Sequence, residues 1–187
     1  PLAVVMRTPG GDLDLVAGFL ITERIVASFA EIASLHHARA GDAERADNSV
    51  HATLASGAAF DAERLRRNLY ASSSCGVCGK ASLEQVLASA PPLTDSARFS
   101  AAFFSALPVK LRAAQRVFDA TGGLHGAALF DAHGEMLCVR EDVGRHNAVD
   151  KVIGWAARAG RLPLSNCALL VSGRVSFEIV QSVRVGG

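Results

Sequence analysis

The sequence has few aromatic residues, almost no net charge and no long hydrophobic run. Phe, Trp and Tyr make up 6% of the 187 residues, so Ala, Val, Leu and Ile must build most of the core. The formal net charge of +1 gives no general attraction to nucleic acid or to an anionic membrane. No apolar run approaches the roughly 18 residues of a membrane-spanning helix, and no charged leader precedes an apolar segment. We therefore expect a soluble, cytoplasmic protein.

Hydrophobic residues make up 50% of the chain and charged residues 20%, which is the composition of a globular protein. The adjacent prolines Pro91 and Pro92 interrupt a helix-like stretch and predict a domain boundary. We expect an N-terminal region at 1–92 and a second domain at 93–187. Both ends of the sequence resemble interior points of a longer protein, so we expect the second domain to be truncated at its C-terminus.

Hydrophobic spacing predicts a short strand at residues 3–6 and a helix at 12–26, with Asp12 as its N-cap. Residues 36–53 are polar and predict strands joined by an exposed loop. A further helix is predicted at 80–89.

The second region has a clearer pattern. It predicts a helix through 107–118 that ends at Gly122, a hairpin turning at 131–134, a helix ending near Gly160, a strand at 168–171 and a helix from Ser176. This order indicates an α/β sandwich with a mixed sheet.

Cys75 and Cys78 form a C-x-x-C motif in a segment rich in Gly and Ser. A predicted helix start and Lys80 both favour a lowered thiol pKa, which a nucleophile or a sulfur carrier needs. Three other interpretations are a structural zinc half-site, a thioredoxin-like dithiol and a chance pair. Cys138 and Cys167 lie in apolar patterns and are expected in the core.

Polar residues gather where predicted strands and helices meet. Arg145, His146 and Asn147 stand at one helix start, and Lys151 lies one turn further along. Ser172, Gly173 and Arg174 stand between a strand and the next helix, and His125 follows a Gly-Gly pair. Helix starts with Arg and Gly are typical of anion sites, so we expect one anionic ligand between these junctions. The alternative is that Glu141, Asp142 and their basic neighbours form only caps and surface salt bridges.

Four segments together resemble the FdhD family of formate dehydrogenase accessory sulfurtransferases. The most specific is the run Arg-Glu-Asp-Val-Gly-Arg-His-Asn-Ala-Val-Asp-Lys at 140–151. The segments follow the family's order and span nearly the whole chain, at residues 6–10 with 17–20, 74–79, 121–125 with 140–151, and 172–178.

The resemblance implies a sulfurtransferase that accepts persulfide sulfur from a cysteine desulfurase. It would pass this sulfur to the molybdenum (or tungsten) bis-guanine dinucleotide cofactor of formate dehydrogenase. Cys75 would carry the persulfide and Cys78 would assist. The dinucleotide phosphates would suit the clusters around Arg145 and Arg174. The resemblance also implies a homodimer, and a cytidine-deaminase-like three-layer sandwich beside a smaller α+β N-terminal region.

Zinc deaminase chemistry is not expected, because such enzymes need a Glu two residues after the first ligand and a P-C-x-x-C motif at the next helix start. His146 is followed by Asn147 and Ala148, and no cysteine accompanies Arg174. We assign no metal ligand. Two other functions stay open: a non-catalytic chaperone of the molybdenum cofactor with a structural or zinc-binding C-x-x-C, and a dithiol oxidoreductase.

Overall fold

The structure is a computed structural model that describes residues 2–38, 48–58 and 96–186. Before the first gap lie α1 (Asp12–Thr22), a short 3-10 helix (Phe29–Glu31) and β1 (Ile32–His37), and β2 (Val50–Leu54) follows it. The last range holds α2 (Ala101–Ala114), α3 (Arg116–Thr121), β3 (His125–Phe130), β4 (Met136–Asp142), α4 (Arg145–Arg158), β5 (Ala168–Val171) and α5 (Phe177–Gly186). No helix in these ranges has the length and apolar character needed to cross a bilayer.

The larger sheet places β3 between β4 and β5. Both neighbours run antiparallel to β3, so the described strand pairs are all antiparallel and the predicted mixed sheet is corrected to this extent. The hairpin between β3 and β4 is confirmed. The side chain of Asp131 accepts the N–H groups of His133 and Glu135, and Gly134 takes the positive φ of 78° that the turn requires.

Strand β3 is buried on both faces and lies between two layers of helices. Its successive side chains point alternately to one layer and to the other. Ala127 and Leu129 face a core built with α1 and α4, whereas Ala128 and Phe130 face Leu107 of α2. The described part is therefore an α/β arrangement with helices on both faces of the sheet. The deaminase-like topology stays a prediction.

Helix α1 crosses α4 at two glycines. A Cβ atom on Gly18 would lie 1.8 Å from the carbonyl oxygen of Asp150, and one on Gly154 would lie 1.8 Å from that of Asp14. The backbones meet without room for a side chain. This contact brings the N-terminal helix into the same core as Val149 of α4.

Three local predictions for the N-terminal segment are wrong. Residues 3–6 form no strand, the helix ends at Thr22 instead of Val26, and it is capped by Gly11 (φ 66°, ψ 29°) instead of Asp12. Asp12 is the first helical residue, and its Oδ2 pairs with Arg7 Nη2 at 3.0 Å. The segment is held by side chains that come from α4 and β4, which residues 3–12 by themselves do not reveal.

The helix predicted through 107–118 is divided at Gln115 into α2 and α3. The break is caused by a residue that is distant in sequence. The carboxylate of Glu141 accepts the N–H groups of Val117 and Phe118 at 2.9 and 2.7 Å, so these donors bond to β4 instead of the preceding helical turn. The expected stop at Gly122, which has a φ of 67°, is confirmed.

Three predictions fall outside the described residues: the C-x-x-C segment with Cys75 and Cys78, the helix at 80–89 and the domain boundary at Pro91 and Pro92. They stay predictions. Of the strands expected within 36–53, β2 lies in that range, whereas β1 begins earlier, at Ile32; the two pair in antiparallel orientation. The helix that ends before Gly160 and the strand at 168–171 are also as predicted.

Candidate functional site

Three strand–helix junctions converge at one place. His125 begins β3, Arg145 begins α4, and Gly173 lies in the loop from β5 to α5. A Cβ atom on Gly173 would stand 3.0 Å from His125 Nδ1 and 3.6 Å from Arg145 Cβ. The absence of a side chain at Gly173 therefore lets the loop lie directly against both basic residues, and Arg174 beside it is exposed.

Ser172 fixes this loop to the sheet. Its N–H donates to the carbonyl of Gly126, and the N–H of Gly126 donates to Ser172 Oγ, both at 2.8 Å. The pair of bonds extends the contact between β5 and β3 by one residue. Ser172 thus sets the position of Gly173 and Arg174.

Arg145 presents an unsatisfied donor. Its Nε is buried, and no acceptor in the described ranges reaches it. An unpaired buried N–H on a guanidinium costs free energy, whereas an anionic ligand would supply the missing acceptor. Arg145 also begins a helix of 14 residues, whose first N–H groups have no intrahelical partner and favour negative charge.

His146 faces the loop that follows β5. Its Nε2 lies 3.2 Å from Ser176 Oγ and 4.0 Å from Glu178 Oε2. Burial lowers the pKa of His146 below its usual range, the charge of Arg145 lowers it further, Glu178 opposes the change, and His125 adds a smaller lowering effect. The neutral ring is therefore favoured at neutral pH.

Lys151 is buried and Asn147 is half-buried, and both contact the N-terminal segment. Asn147 Nδ2 donates to the carbonyl of Met6 at 2.8 Å and to Asp142 Oδ1 at 2.9 Å. Lys151 Nζ lies 2.6 Å from Asp142 Oδ2 and donates to the carbonyl of Thr8 at 2.9 Å. These two residues hold the N-terminal segment against α4, and their predicted contact with a cofactor stays untested.

Asp142, which the sequence offered only as a cap or a surface salt-bridge partner, organises the site. Besides Asn147 and Lys151, its carboxylate accepts the N–H groups of Gly144 at 2.9 Å and of Thr8 at 3.1 Å. It thereby fixes the turn that leads into α4 and so the position of Arg145. The acidic and basic alternation of the sequence at 140–151 was visible, but the link to Thr8 was not.

The neighbours of Asp142 on β4 have separate structural tasks. Arg140 pairs with Asp14 Oδ2 through Nη2 at 2.7 Å, and Arg158 pairs with the other oxygen of Asp14. Glu141 caps α3. Residues 140–142 thus form caps and salt bridges, as the alternative expected, but Asp14 and the pair of Asp142 with Lys151 are buried instead of lying on the surface. This leaves His125, Arg145, His146 and Arg174 as the groups around the junction.

The other two cysteines differ in burial. Cys138 is buried in β4, as predicted, and Cys167 is half-buried at the start of β5. Burial raises the pKa of the Cys138 thiol to about 11, so this side chain is a poor nucleophile at neutral pH. Sulfur chemistry would depend on Cys75 and Cys78, which lie outside the described residues.

The sequence matches the family model described as the FdhD/NarQ family over residues 1–186. It is 52% identical to "Sulfur carrier protein FdhD" of Mycolicibacterium paratuberculosis, with 100% of this chain and 70% of that protein covered. The protein of the same name from Streptomyces avermitilis is 47% identical over 100% of this chain and 68% of its own length. That of Sulfolobus acidocaldarius is 41% identical over the same shares.

The fold is also similar to a crystal structure described as that of a formate dehydrogenase accessory protein from Desulfotalea psychrophila. The TM-score is 0.66 at 20% sequence identity, and the match covers 96% of this chain. It covers 62% of that chain, so this sequence spans less than two thirds of the solved protein. At this identity the likeness concerns the fold alone.

Proposed function

The chain belongs to the FdhD/NarQ family, and from this premise we propose that it carries sulfur for the maturation of a formate dehydrogenase. It accepts sulfur from a cysteine desulfurase and passes it to the molybdenum bis-guanine dinucleotide cofactor. The observation that carries this proposal is the family match across residues 1–186, which includes both the C-x-x-C motif and the basic junction around Arg145.

Sulfur loading is an exchange between a thiolate and a persulfide. The thiolate of Cys75 attacks the outer sulfur of the desulfurase persulfide, a new S–S bond forms on Cys75, and the desulfurase leaves as a thiolate. The serines and glycines at 72–79 give this segment small side chains, which supports approach of a bulky partner.

Sulfur release uses the second cysteine. The thiolate of Cys78 attacks the inner sulfur of the persulfide, the outer sulfur leaves as hydrosulfide to the cofactor, and a disulfide joins Cys75 to Cys78. In this step the Cys78 sulfur is oxidised and the outer persulfide sulfur is reduced by the same amount, while the Cys75 sulfur keeps its oxidation state. A cellular dithiol then reduces the disulfide and prepares the protein for another cycle.

The junction at α4 is suited to hold the phosphates of the dinucleotide. Arg145 offers a buried N–H without an acceptor in the described part, and Gly173 lets the loop after β5 lie against His125 and Arg145. Arg174 adds exposed positive charge. These features fit a diphosphate bound at a helix start. Its contacts with Arg145 would orient the cofactor for sulfur transfer.

We propose a cytoplasmic location. There the protein would encounter both the cofactor and a desulfurase, and its thiols would stay reduced. We propose that the protein works there as a homodimer with formate dehydrogenase as its client. Analytical ultracentrifugation tests the dimer directly.

The test of sulfur loading is an intact-mass measurement. The protein is incubated with a cysteine desulfurase and cysteine, and wild type is compared with Cys75→Ala and Cys78→Ala. We expect a gain of about 32 Da that a reductant removes. The gain should be absent in Cys75→Ala and present in Cys78→Ala, which serves as the matched control.

No gain in folded wild type would contradict the proposal. Stoichiometric bound zinc would then support the alternative of a cofactor chaperone with a structural C-x-x-C, which the basic junction favours independently of any sulfur transfer. Rapid insulin reduction would support a dithiol oxidoreductase instead.

A further inference from the structure

His146 sits between groups of opposite charge. On one side Ser176 Oγ lies 3.2 Å and Glu178 Oε2 4.0 Å from its Nε2. The positive neighbours are Arg145 on its own helix and, when protonated, His125 of β3. Within residues 2–38, 48–58 and 96–186, the titratable groups that face the ring come from α4, α5 and β3, and Glu178 is the negative one among them.

We propose that Ser176 and Glu178 are positioning residues that hold the ring of His146 so that it takes up a proton from solvent when a diphosphate binds beside Arg145. This inference rests on the proposed function and assigns two residues and a proton-linked step to the same site. Both residues lie in the segment at 172–178 that carries the resemblance, and the sequence assigned neither of them an individual role.

Without a ligand, the imidazole ring of His146 favours its neutral form. Partial burial and the adjacent Arg145 disfavour a second positive charge at this position, which is why the pKa of His146 is lowered. A bound diphosphate would bring negative charge to the buried Nε of Arg145. It would therefore offset the charge that now opposes protonation of the neighbouring ring.

The contacts at Nε2 suit both protonation states. The hydroxyl of Ser176 can donate to an unprotonated Nε2 or accept from a protonated one, because its hydrogen rotates. The carboxylate of Glu178 attracts the imidazolium without closing on it, at 4.0 Å. The ring can gain a proton without moving, so protonation can follow ligand binding directly.

Proton uptake and ligand affinity are linked with a definite sign. If binding raises the pKa of His146, the complex holds more protons than the free protein, and affinity increases as the pH falls through the window between the two pKa values. Full linkage of one proton changes the dissociation constant by at most about tenfold per pH unit.

The test is calorimetric titration of GDP, and of inorganic pyrophosphate, at about pH 6, 7 and 8. Each pH is measured in two buffers that differ in ionisation enthalpy, which reports proton uptake directly. GDP changes its own protonation near pH 6, so His146→Gln is the matched control, because the ligand titrates identically with both proteins. When GDP binds, we expect wild type to bind at most about one more proton than His146→Gln binds.

Two further variants test the positioning roles. Glu178→Gln removes the negative neighbour, so the pH window for extra proton uptake should move to lower pH while GDP binding at pH 8 is retained. Ser176→Ala should lessen the difference from His146→Gln. A merely structural role for either residue would alter affinity without moving the proton count.

Identical proton uptake by wild type and His146→Gln, with GDP still bound, overturns this inference and leaves the anion site of the proposed function intact. Failure of wild type to bind GDP or pyrophosphate at any pH contradicts the anion site itself. The two failures are therefore distinguishable.

Discussion

Asp142 and Lys151 form an ion pair closed to solvent, with Oδ2 and Nζ 2.6 Å apart and side-chain exposures of 0% and 1%. The pair joins the end of β4 to α4. Because Thr8 donates its N–H to the same carboxylate and accepts from the same ammonium, the pair also secures the N-terminal segment. The candidate site thus depends on a contact between positions 8, 142 and 151.

Removal of one charge from this pair should destabilise the protein strongly. We expect Asp142→Asn to lower the free energy of unfolding by about 3 kcal/mol, because Lys151 would stay buried with its charge uncompensated. Urea denaturation followed by circular dichroism measures this. Adding Lys151→Met to the variant should recover part of the loss, and a wild-type midpoint for the single variant would refute the role of the pair.

The crossing of α1 and α4 should not tolerate a methyl group. Gly154→Ala would place Cβ 1.8 Å from the carbonyl oxygen of Asp14, so the helices must separate. We expect a loss of about 3 kcal/mol in thermal or urea denaturation, although Ala favours a helix over Gly by about 1 kcal/mol. Gly186→Ala is the control, since its Cβ would make ordinary contacts at 3.5 Å with Ile153. Equal stability of the two variants would contradict the close crossing.

Asp150 should make the protein less stable as pH rises. Burial raises its pKa to about 7, and Thr22 Oγ1 donates a hydrogen bond to its Oδ1 at 2.8 Å. Between the unfolded value near 4 and about 7, the folded state binds more protons than the unfolded state, so the free energy of unfolding decreases with pH and levels off above 7.

The variant Asp150→Asn isolates this effect, because it has no carboxylate to ionise and can still accept from Thr22. Relative to wild type, we expect it to gain roughly 2–4 kcal/mol of stability between pH 4 and pH 8. Denaturation of both proteins at these pH values provides the comparison. A constant difference between them would mean that Asp150 is ionised in the folded state throughout.

The cysteines should differ in their reactivity toward an alkylating reagent. Because burial raises the pKa of Cys138 to about 11, we expect this thiol to remain unmodified by iodoacetamide at pH 8 in the folded protein and to react in urea. Cys75 is expected to react in the folded state. Peptide mass spectrometry locates the label, and prompt modification of Cys138 without denaturant would show that β4 is more accessible than the fold indicates.

The sequence allowed good prediction of elements whose signals are local. The turn at Asp131 and Gly134, the helix stop at Gly122 and the apolar strand at 168–171 follow from turn chemistry and short-range pattern. The division of a helix at Gln115 does not, because its cause is the carboxylate of Glu141 from a strand more than twenty residues later.

The candidate site shows the same limit. Arg145 and His146 could be selected as candidates because basic residues at a helix start often bind anions. The sequence could not show whether Asp142 and Lys151 bind a ligand or stabilise the interior, because a run of charged residues has the same pattern in both cases. Only the three-dimensional contact with Thr8 distinguishes them.

Transfer of labelled sulfur shows whether the basic junction delivers sulfur to the cofactor. Wild type and Arg145→Gln are loaded with ³⁵S from a cysteine desulfurase and mixed with formate dehydrogenase that contains unsulfurated cofactor. We expect equal loading of both proteins, with label reaching the cofactor at least about tenfold faster from wild type, because Arg145→Gln loses a charged hydrogen bond to the phosphate. Equal transfer from both proteins, or transfer from Cys75→Ala, would contradict sulfur delivery by Cys75 through this junction.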